Sequence, residues 1–274
     1  MNRILFAAAH ALVLAGPVVA QNVSKVGTTA AAFLDIGVGP RALAQGGAVV
    51  AAVDDATSLY WNPAGLSRMQ RGEAFATHAE WLGGLDFNVA GVALPLAGGT
   101  AGVQVTMLRV PDMLVRTEDF QQGTGETFDA ADLAVGVSYG RQVTDRFRLG
   151  GTVKYIQQRI WNESASGLAV DLGTQFHTDF FGGLTIGAAV TNFGGDLRLD
   201  GRDLRRFFDP SPTETGNNGS VPVDASTESW GLPLSFSLGV AVRPLRSRLQ
   251  QLTVSVDALH PSSNYESINA GFEY

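Results

Sequence analysis

The residues of this chain best placed for polar chemistry are two adjacent carboxylates, Asp54-Asp55, with Arg41 upstream and Tyr60-Trp61 just downstream. A guanidinium beside paired carboxylates makes strong charge-assisted hydrogen bonds, so Arg41 is expected to pair with Asp54 or Asp55. Two neighbouring acids fall well short of a calcium ligand set, and no metal is expected there. His10, His78, His177 and His260 are scattered, with no His-x-x-x-His spacing. The sequence has no Gly-x-Ser-x-Gly elbow and no glycine-rich phosphate loop. With zero cysteines it also lacks thiolate metal sites and thiol nucleophiles. The expectation is a protein with no catalytic residues and no cofactor.

These charges sit within residues 39–66, GPRALAQGGAVVAAVDDATSLYWNPAGL. Pro63 disfavours the α region at Asn62 and removes a backbone donor, while Gly65 can take a positive φ. Asn62-Pro63-Ala64-Gly65 therefore reads as a rigid turn. Asp54 or Asp55 can cap a short helix over 56–61, with the carboxylates at its positive end. The stretch is too short and too mixed to fold alone, so it needs a scaffold.

The scaffold follows from residue 71 onward, where the hydrophobic period becomes two, the β signal. Val103, Val105 and Met107 alternate with Gly102, Gln104 and Thr106, and Leu168, Val170 and Leu172 with Ala169, Asp171 and Gly173. Ten strands are read, near 72–82, 85–96, 100–110, 128–143, 147–160, 164–177, 184–195, 229–245, 252–260 and 265–274, with a bulge expected at Ala90-Gly91. Their lengths suit tilted strands crossing a bilayer. The connections near 97–99, 144–146, 178–183 and 246–251 are short, whereas 111–127 and 196–228 are long. Short turns at one end and long loops at the other predict an all-β outer-membrane barrel with periplasmic turns and extracellular loops. By parity, His78, Glu80, Arg148, Lys154, Asp171 and Asp257 fall on the polar, lumen-facing side.

Composition agrees with a single large domain of this kind: 274 residues, 45% hydrophobic, 33 Gly, net charge −7. No basic tract with interleaved aromatics is present, so nucleic acid is not an expected partner. Residues 1–20 carry a basic start, an apolar core and a small-residue cleavage site before Gln21, the pattern of a cleaved signal peptide. Residues 21–38 read as an extended lead. In the long 196–228 connection, Arg202, Arg205 and Arg206 surround Phe207-Phe208, a mixture suited to a partner-binding loop.

The wording of Gly39-Pro40-Arg41-Ala42, Gln45-Gly46-Gly47-Ala48, Ala52-Val53-Asp54-Asp55-Ala56 and Leu59-Tyr60-Trp61-Asn62-Pro63-Ala64-Gly65-Leu66 resembles the N-terminal region of the PorV/PorQ family. Those outer-membrane proteins are related to FadL-type fatty-acid transporters. The resemblance implies that residues 21–70 form a lead and an N-terminal plug inside a barrel built from 71–274. Arg41, Gly46, Gly47, Asp54, Asp55, Trp61, Asn62, Pro63, Ala64 and Gly65 would then be plug or gate residues. It further implies a part in type IX protein secretion, with secretion components and exported cargo as partners in the outer-membrane lipid. The alternative is a FadL-like channel for hydrophobic small molecules such as fatty acids, opened by displacement of the segment near Asn62-Pro63-Ala64. Barrels of this family have fourteen strands, so the ten read here imply either a low count or a C-terminally truncated member.

Overall fold

The computed structural model describes residues 26–210, 213 and 220–274. The expected signal peptide and the first residues of the lead lie outside the described residues. Among these residues ten long strands form one antiparallel sheet: β1 Glu73–Trp81, β2 Leu85–Leu96, β3 Gly99–Leu114, β4 Thr127–Gln142, β5 Phe147–Ile160, β6 Glu163–Thr178, β7 Leu184–Gly194, β8 Ser235–Arg246, β9 Gln251–Pro261 and β10 Ser267–Glu273. Each pairs with the next in sequence, as expected of a meander joined by hairpins. Among the described residues β1 and β10 each have one long-strand neighbour, so no direct β1–β10 ladder closes the sheet. Among the described residues no helix is long and apolar enough to cross a membrane, which says nothing of crossing by strands.

The alternation read from sequence sets the two faces. On the outer face, Val137, Val153, Leu168 and Leu172 are more than half exposed, and Val103, Leu238 and Phe272 continue the belt. On the inner face of the same strands, Asp171, Gln175 and Asp257 are fully covered. An apolar belt outside and polar residues inside is the inverse of a soluble sandwich, and it suits strands whose solvent is lipid. The inner face is covered by the N-terminal segment: a 3-10 turn Ala32–Asp35, the one-turn helices Pro40–Ala44 and Ser58–Trp61, and a 3-10 run Pro63–Arg68.

Five expectations differ from the structure. His78 and Glu80 lie on the outer face of β1. Phe75 and Ala79 take the inner face, packing with Phe87 and Val89 of β2 around Val38. In these two strands the N-terminal segment supplies an apolar partner inside, so the apolar residues turn inward and the polar ones turn out. His78 Nδ1 instead meets Asn88 Oδ1 across the strands at 2.8 Å. No bulge occurs at Ala90-Gly91, where the β1–β2 and β2–β3 registers run unbroken. The irregularities lie between Val110 and Met113, Val170 and Leu172, and Val242 and Leu245.

Gly65 has no positive φ. Glycine is needed there because a Cβ would stand 2.5 Å from Ser58 Oγ and 2.7 Å from the Val53 carbonyl oxygen. The helix starts at Ser58, not at 56, and has no side-chain cap. Asp55 instead accepts the Thr57 N–H at 2.9 Å, a tight local turn that sets up the helix without capping it. β8 also begins later than expected, because Ser229–Trp230 pair with Leu197–Arg198 across the long connection.

Candidate functional site

The N-terminal segment is fitted to the sheet backbone-first. At Gly150 of β5 a Cβ would lie 2.2 Å from the Pro63 carbonyl carbon, and at Gly173 of β6 it would lie 2.0 Å from Asn62 Oδ1. Gly187 of β7 and Gly271 of β10 leave the same kind of gap for the carbonyls of Val50 and Gln45. Side chains are shaved from the wall where the segment's main chain must approach. Asn62, fully buried, completes the contact: its Nδ2 donates to Val50 O at 2.8 Å and to Thr174 O at 3.1 Å, and its Oδ1 accepts from Ala64 N at 3.1 Å. Gln175 Nε2 donates to the carbonyls of Val50 and Val53, and Asp257 Oδ2 accepts the Val50 N–H at 2.9 Å.

A charged knot holds the segment's other flank. Arg41 Nη1 lies 3.0 Å from Asp54 and 2.8 Å from Asp55, and its Nε and Nη2 meet the two oxygens of Glu273 at 2.8 and 2.7 Å. Asp54 also contacts Arg68 at 3.0 Å and Arg243 of β8 at 3.5 Å. The Glu273 hydrogen bond leads in holding the Arg41 guanidinium charged, against the opposing effect of burial. Burial acts to raise Asp55, but the Thr57 hydroxyl and Arg41 together outweigh it and keep that carboxyl below its usual range. Burial pulls Arg68 down to about 10, partly offset by Asp54. On β1, Glu73 Oε2 accepts the Ala56 N–H at 3.2 Å. The first and last strands thus grip adjacent parts of the segment.

Deeper in the lumen, Lys154 of β5 is almost fully buried, with its Nζ 2.7 Å from Asp171 Oδ2 and 2.8 Å from Asn192 Oδ1. Lys154 is the polar neighbour of Asp171 Oδ2 by ionic contact rather than by directed hydrogen bond. Asn192 stands in left-handed conformation, φ 62°, where the β6–β7 ladder is interrupted. Its backbone N–H donates to Asp171 Oδ1 at 2.8 Å. Arg148 lies on the same inner face, and its Nε has no hydrogen-bond partner among the described residues.

Beside this network is a cavity of about 500 Å³ between the N-terminal segment and the walls of β7 to β10. Leu34, Leu43, Tyr60 and Trp61 line it from the segment, and Leu259, Pro261 and Tyr265 from the wall. Asp35, Lys154 and Asn192 with Ser235 and Ser237 form its polar part. The Tyr60 hydroxyl donates to Leu34 O at 3.0 Å and Trp61 Nε1 to Val38 O at 2.9 Å, so both rings are locked in a T-shaped pair with centroids 4.9 Å apart. Burial is the largest of the influences that push the Tyr60 phenol upward, and it stays a donor. At the long-loop end, Phe33 and Leu34 pack under Leu197 and Leu232 of the long connection, and Ala30 N donates to Gly231 O at 2.9 Å.

The structure brings Arg41, Asp54 and Asp55 together, places Asn62 to Gly65 against the wall glycines, and puts Trp61 on the cavity. Gly46 and Gly47, both at positive φ, line the same cavity. Arg202, Arg205 and Arg206 fall elsewhere, in a projecting hairpin where Arg205–Phe208 pairs with Val221–Asp224. Phe207 and Phe208 are exposed there, Arg205 reaches Asp224 at 3.7 Å, and Asp203 accepts from Asn162 Nδ2 at 2.7 Å. Sequence reasoning missed Glu73, Arg68, Arg243 and Glu273, the wall glycines and the cavity. The signal for the glycines was their recurrence on the inner parity of successive strands. The described residues contain no cluster able to hold a metal ion.

Among solved structures the fold is similar to that of the CymD monoaromatic hydrocarbon channel, at 13% sequence identity over 86% of this chain and 75% of that one, with a TM-score of 0.50. The Ralstonia pickettii toluene transporter TbuX matches at 15% identity over 85% and 78% of the two chains, TM-score 0.48. The Pseudomonas putida toluene transporter TodX matches at 12% over 84% and 74%, TM-score 0.44. No protein-family model matches the sequence, and no curated protein matches it. At this identity the likeness to CymD shows the fold alone, an all-β, multi-stranded sheet of the kind that CymD has.

Proposed function

We propose that this chain is a non-catalytic outer-membrane channel that admits hydrophobic small molecules through the cavity beside its N-terminal segment, which acts as a plug. The observation that carries this reading is the cavity itself. It lies inside a sheet whose outer face is apolar, and Leu34, Leu43, Trp61 and Leu259 give it an apolar lining with a few polar groups at one side. Its volume and lining are those of a small-molecule site. The chain would reach the outer membrane through a cleaved signal peptide at 1–20, with the short turns in the periplasm. CymD, a monoaromatic hydrocarbon channel, handles the same class of cargo.

The test is uptake by liposomes containing the purified chain, with a hydrophobic solute outside and an enzyme that consumes it trapped inside. Uptake above that of empty liposomes, lost when Ser237→Trp fills the cavity, supports the channel. Equal uptake by the parent and the filled variant rejects it.

A second reading, the type IX secretion role implied by the PorV/PorQ resemblance, is favoured by one feature, the projecting hairpin with exposed Phe207 and Phe208 beside Arg205 and Arg206. Aromatic and arginine side chains together suit a protein interface. Co-purification of exported proteins sharing a C-terminal domain, abolished by Phe207→Ser with Phe208→Ser, would support it. Recovery of the chain without protein partners would count against it.

A further inference from the structure

We infer that the cavity selects uncharged molecules with an apolar body and one hydrogen-bonding group, and that it rejects carboxylates. The inference rests on the channel reading and concerns the same cavity. The rings of Tyr60 and Trp61 offer apolar surface, since their polar tips are already spent on the carbonyls of Leu34 and Val38. An aromatic or short aliphatic body fits against them.

The polar side of the cavity decides what the other end of the ligand carries. Among the described residues Lys154 is the only cation lining it, and that ammonium is already 2.7 Å from the buried Asp171 carboxylate. Two further carboxylates, Asp35 and Glu266, line the same space. Both residues reach solvent, but Glu266 is paired with His260 at 2.9 Å, whereas Asp35 has no ion-pair partner among the described residues and its carboxyl is partly covered, so the weight falls on Asp35. Asp35 Oδ2 accepts from Ser263 Oγ at 2.9 Å, and Oδ1 has no protein donor among the described residues. Burial pushes the Asp35 carboxyl up, with Ser263 and Lys154 pulling the other way. A second carboxylate entering here would lose its water and meet like charge with no free cation to receive it. An alcohol or phenol instead can donate to Asp35 Oδ1 and accept the one Lys154 proton not engaged by Asp171 or Asn192.

The experiment is equilibrium dialysis of the full purified chain in detergent, at neutral pH, against toluene, benzyl alcohol and benzoate, with protein-free detergent as the partition control. Benzyl alcohol is expected to bind most tightly, and benzoate at least about tenfold more weakly than benzyl alcohol. Ser237→Trp should abolish binding of all three. Asp35→Asn should narrow the gap between benzoate and benzyl alcohol and leave toluene unchanged. Benzoate binding as tightly as benzyl alcohol overturns the inference, as does an Asp35→Asn variant with an unchanged ratio. Toluene binding that is lost in Ser237→Trp, with no preference for the alcohol, leaves the channel reading standing and removes the selectivity. Binding of none of the three, or binding that survives Ser237→Trp, removes both.

Discussion

Arg41 of the N-terminal segment, the proposed plug, and Glu273 of the last strand form a two-pronged ion pair, Nε and Nη2 at 2.8 and 2.7 Å from the two carboxylate oxygens. The remaining Nη1 of Arg41 is shared between Asp54 and Asp55, and Glu73 of β1 holds the neighbouring Ala56. The N-terminal segment is therefore held by both outermost strands of the sheet.

Glu273→Gln should loosen this end of the plug without unfolding the sheet. The pair is about two-fifths exposed on each side, so its loss is expected to cost only about 1 kcal/mol. The sensitive readout is limited proteolysis: cleavage within residues 39–55 should accelerate while cleavage in the strands does not. Unchanged cleavage of the plug would show that Arg41 is held by Asp54 and Asp55 alone.

Acid should release the same contact. Asp55 is held below its usual carboxyl range, so its contribution is present above the unfolded value of about 4 and is lost as pH falls through the lower folded value. Plug cleavage is thus expected to be flat from neutral pH down to about 4 and to rise below it. In Asp55→Asn this acid rise should shrink. A rise beginning near neutrality in the parent would point to a different group.

Gly173→Ala places a methyl group 2.0 Å from Asn62 Oδ1, with Pro63 Cδ also near at 2.8 Å. The wall cannot yield without breaking ladder bonds, so the plug must move, at a cost of about 1–3 kcal/mol or more. Conductance in planar bilayers is expected to rise. Gly151→Ala on neighbouring β5 is the control, because its nearest contacts are ordinary at 3.5 Å and beyond. Equal behaviour of the two variants would mean that the glycines do not seat the plug.

Asn62→Ala removes three hydrogen bonds at a fully buried position and leaves the carbonyls of Val50 and Thr174 without that donor. A loss of about 2–3 kcal/mol is expected, larger than for Glu273→Gln because no water can replace the lost partner. Thermal melts of the two variants in the same detergent check the order.

The strands were legible because lipid outside and a polar lumen inside impose opposite demands on alternate residues, as Leu172 and Asp171 show. That logic failed for His78 and Glu80, where Phe75 and Phe87 turn inward to pack against Val38 of the N-terminal segment and reverse the pattern. The ion pair between Arg41 and the acids was legible because its members are close in the chain. Glu273 was not, since nothing local marks a partner from the far end of the sequence. The cavity was invisible for the same reason: Leu34 and Trp61 line it together with Leu259 and Tyr265 only once the sheet is folded over the N-terminal segment. Gly65 was recognised as special for the wrong cause, since its role is close packing on Ser58 and Val53 rather than a positive φ.

Lys154→Met is expected to be the most damaging single change in the lumen wall. The ammonium is the close polar neighbour of Asp171 Oδ2, and the Asp171 carboxylate is fully buried. Removing it strands a charge away from water, at a cost of about 3–5 kcal/mol. Adding Asp171→Asn to the same chain removes that charge and should recover much of the loss. A double-mutant cycle on thermal stability in detergent measures the coupling directly. If the double variant is no more stable than Lys154→Met alone, the lysine acts through its contact with Asn192 rather than through Asp171.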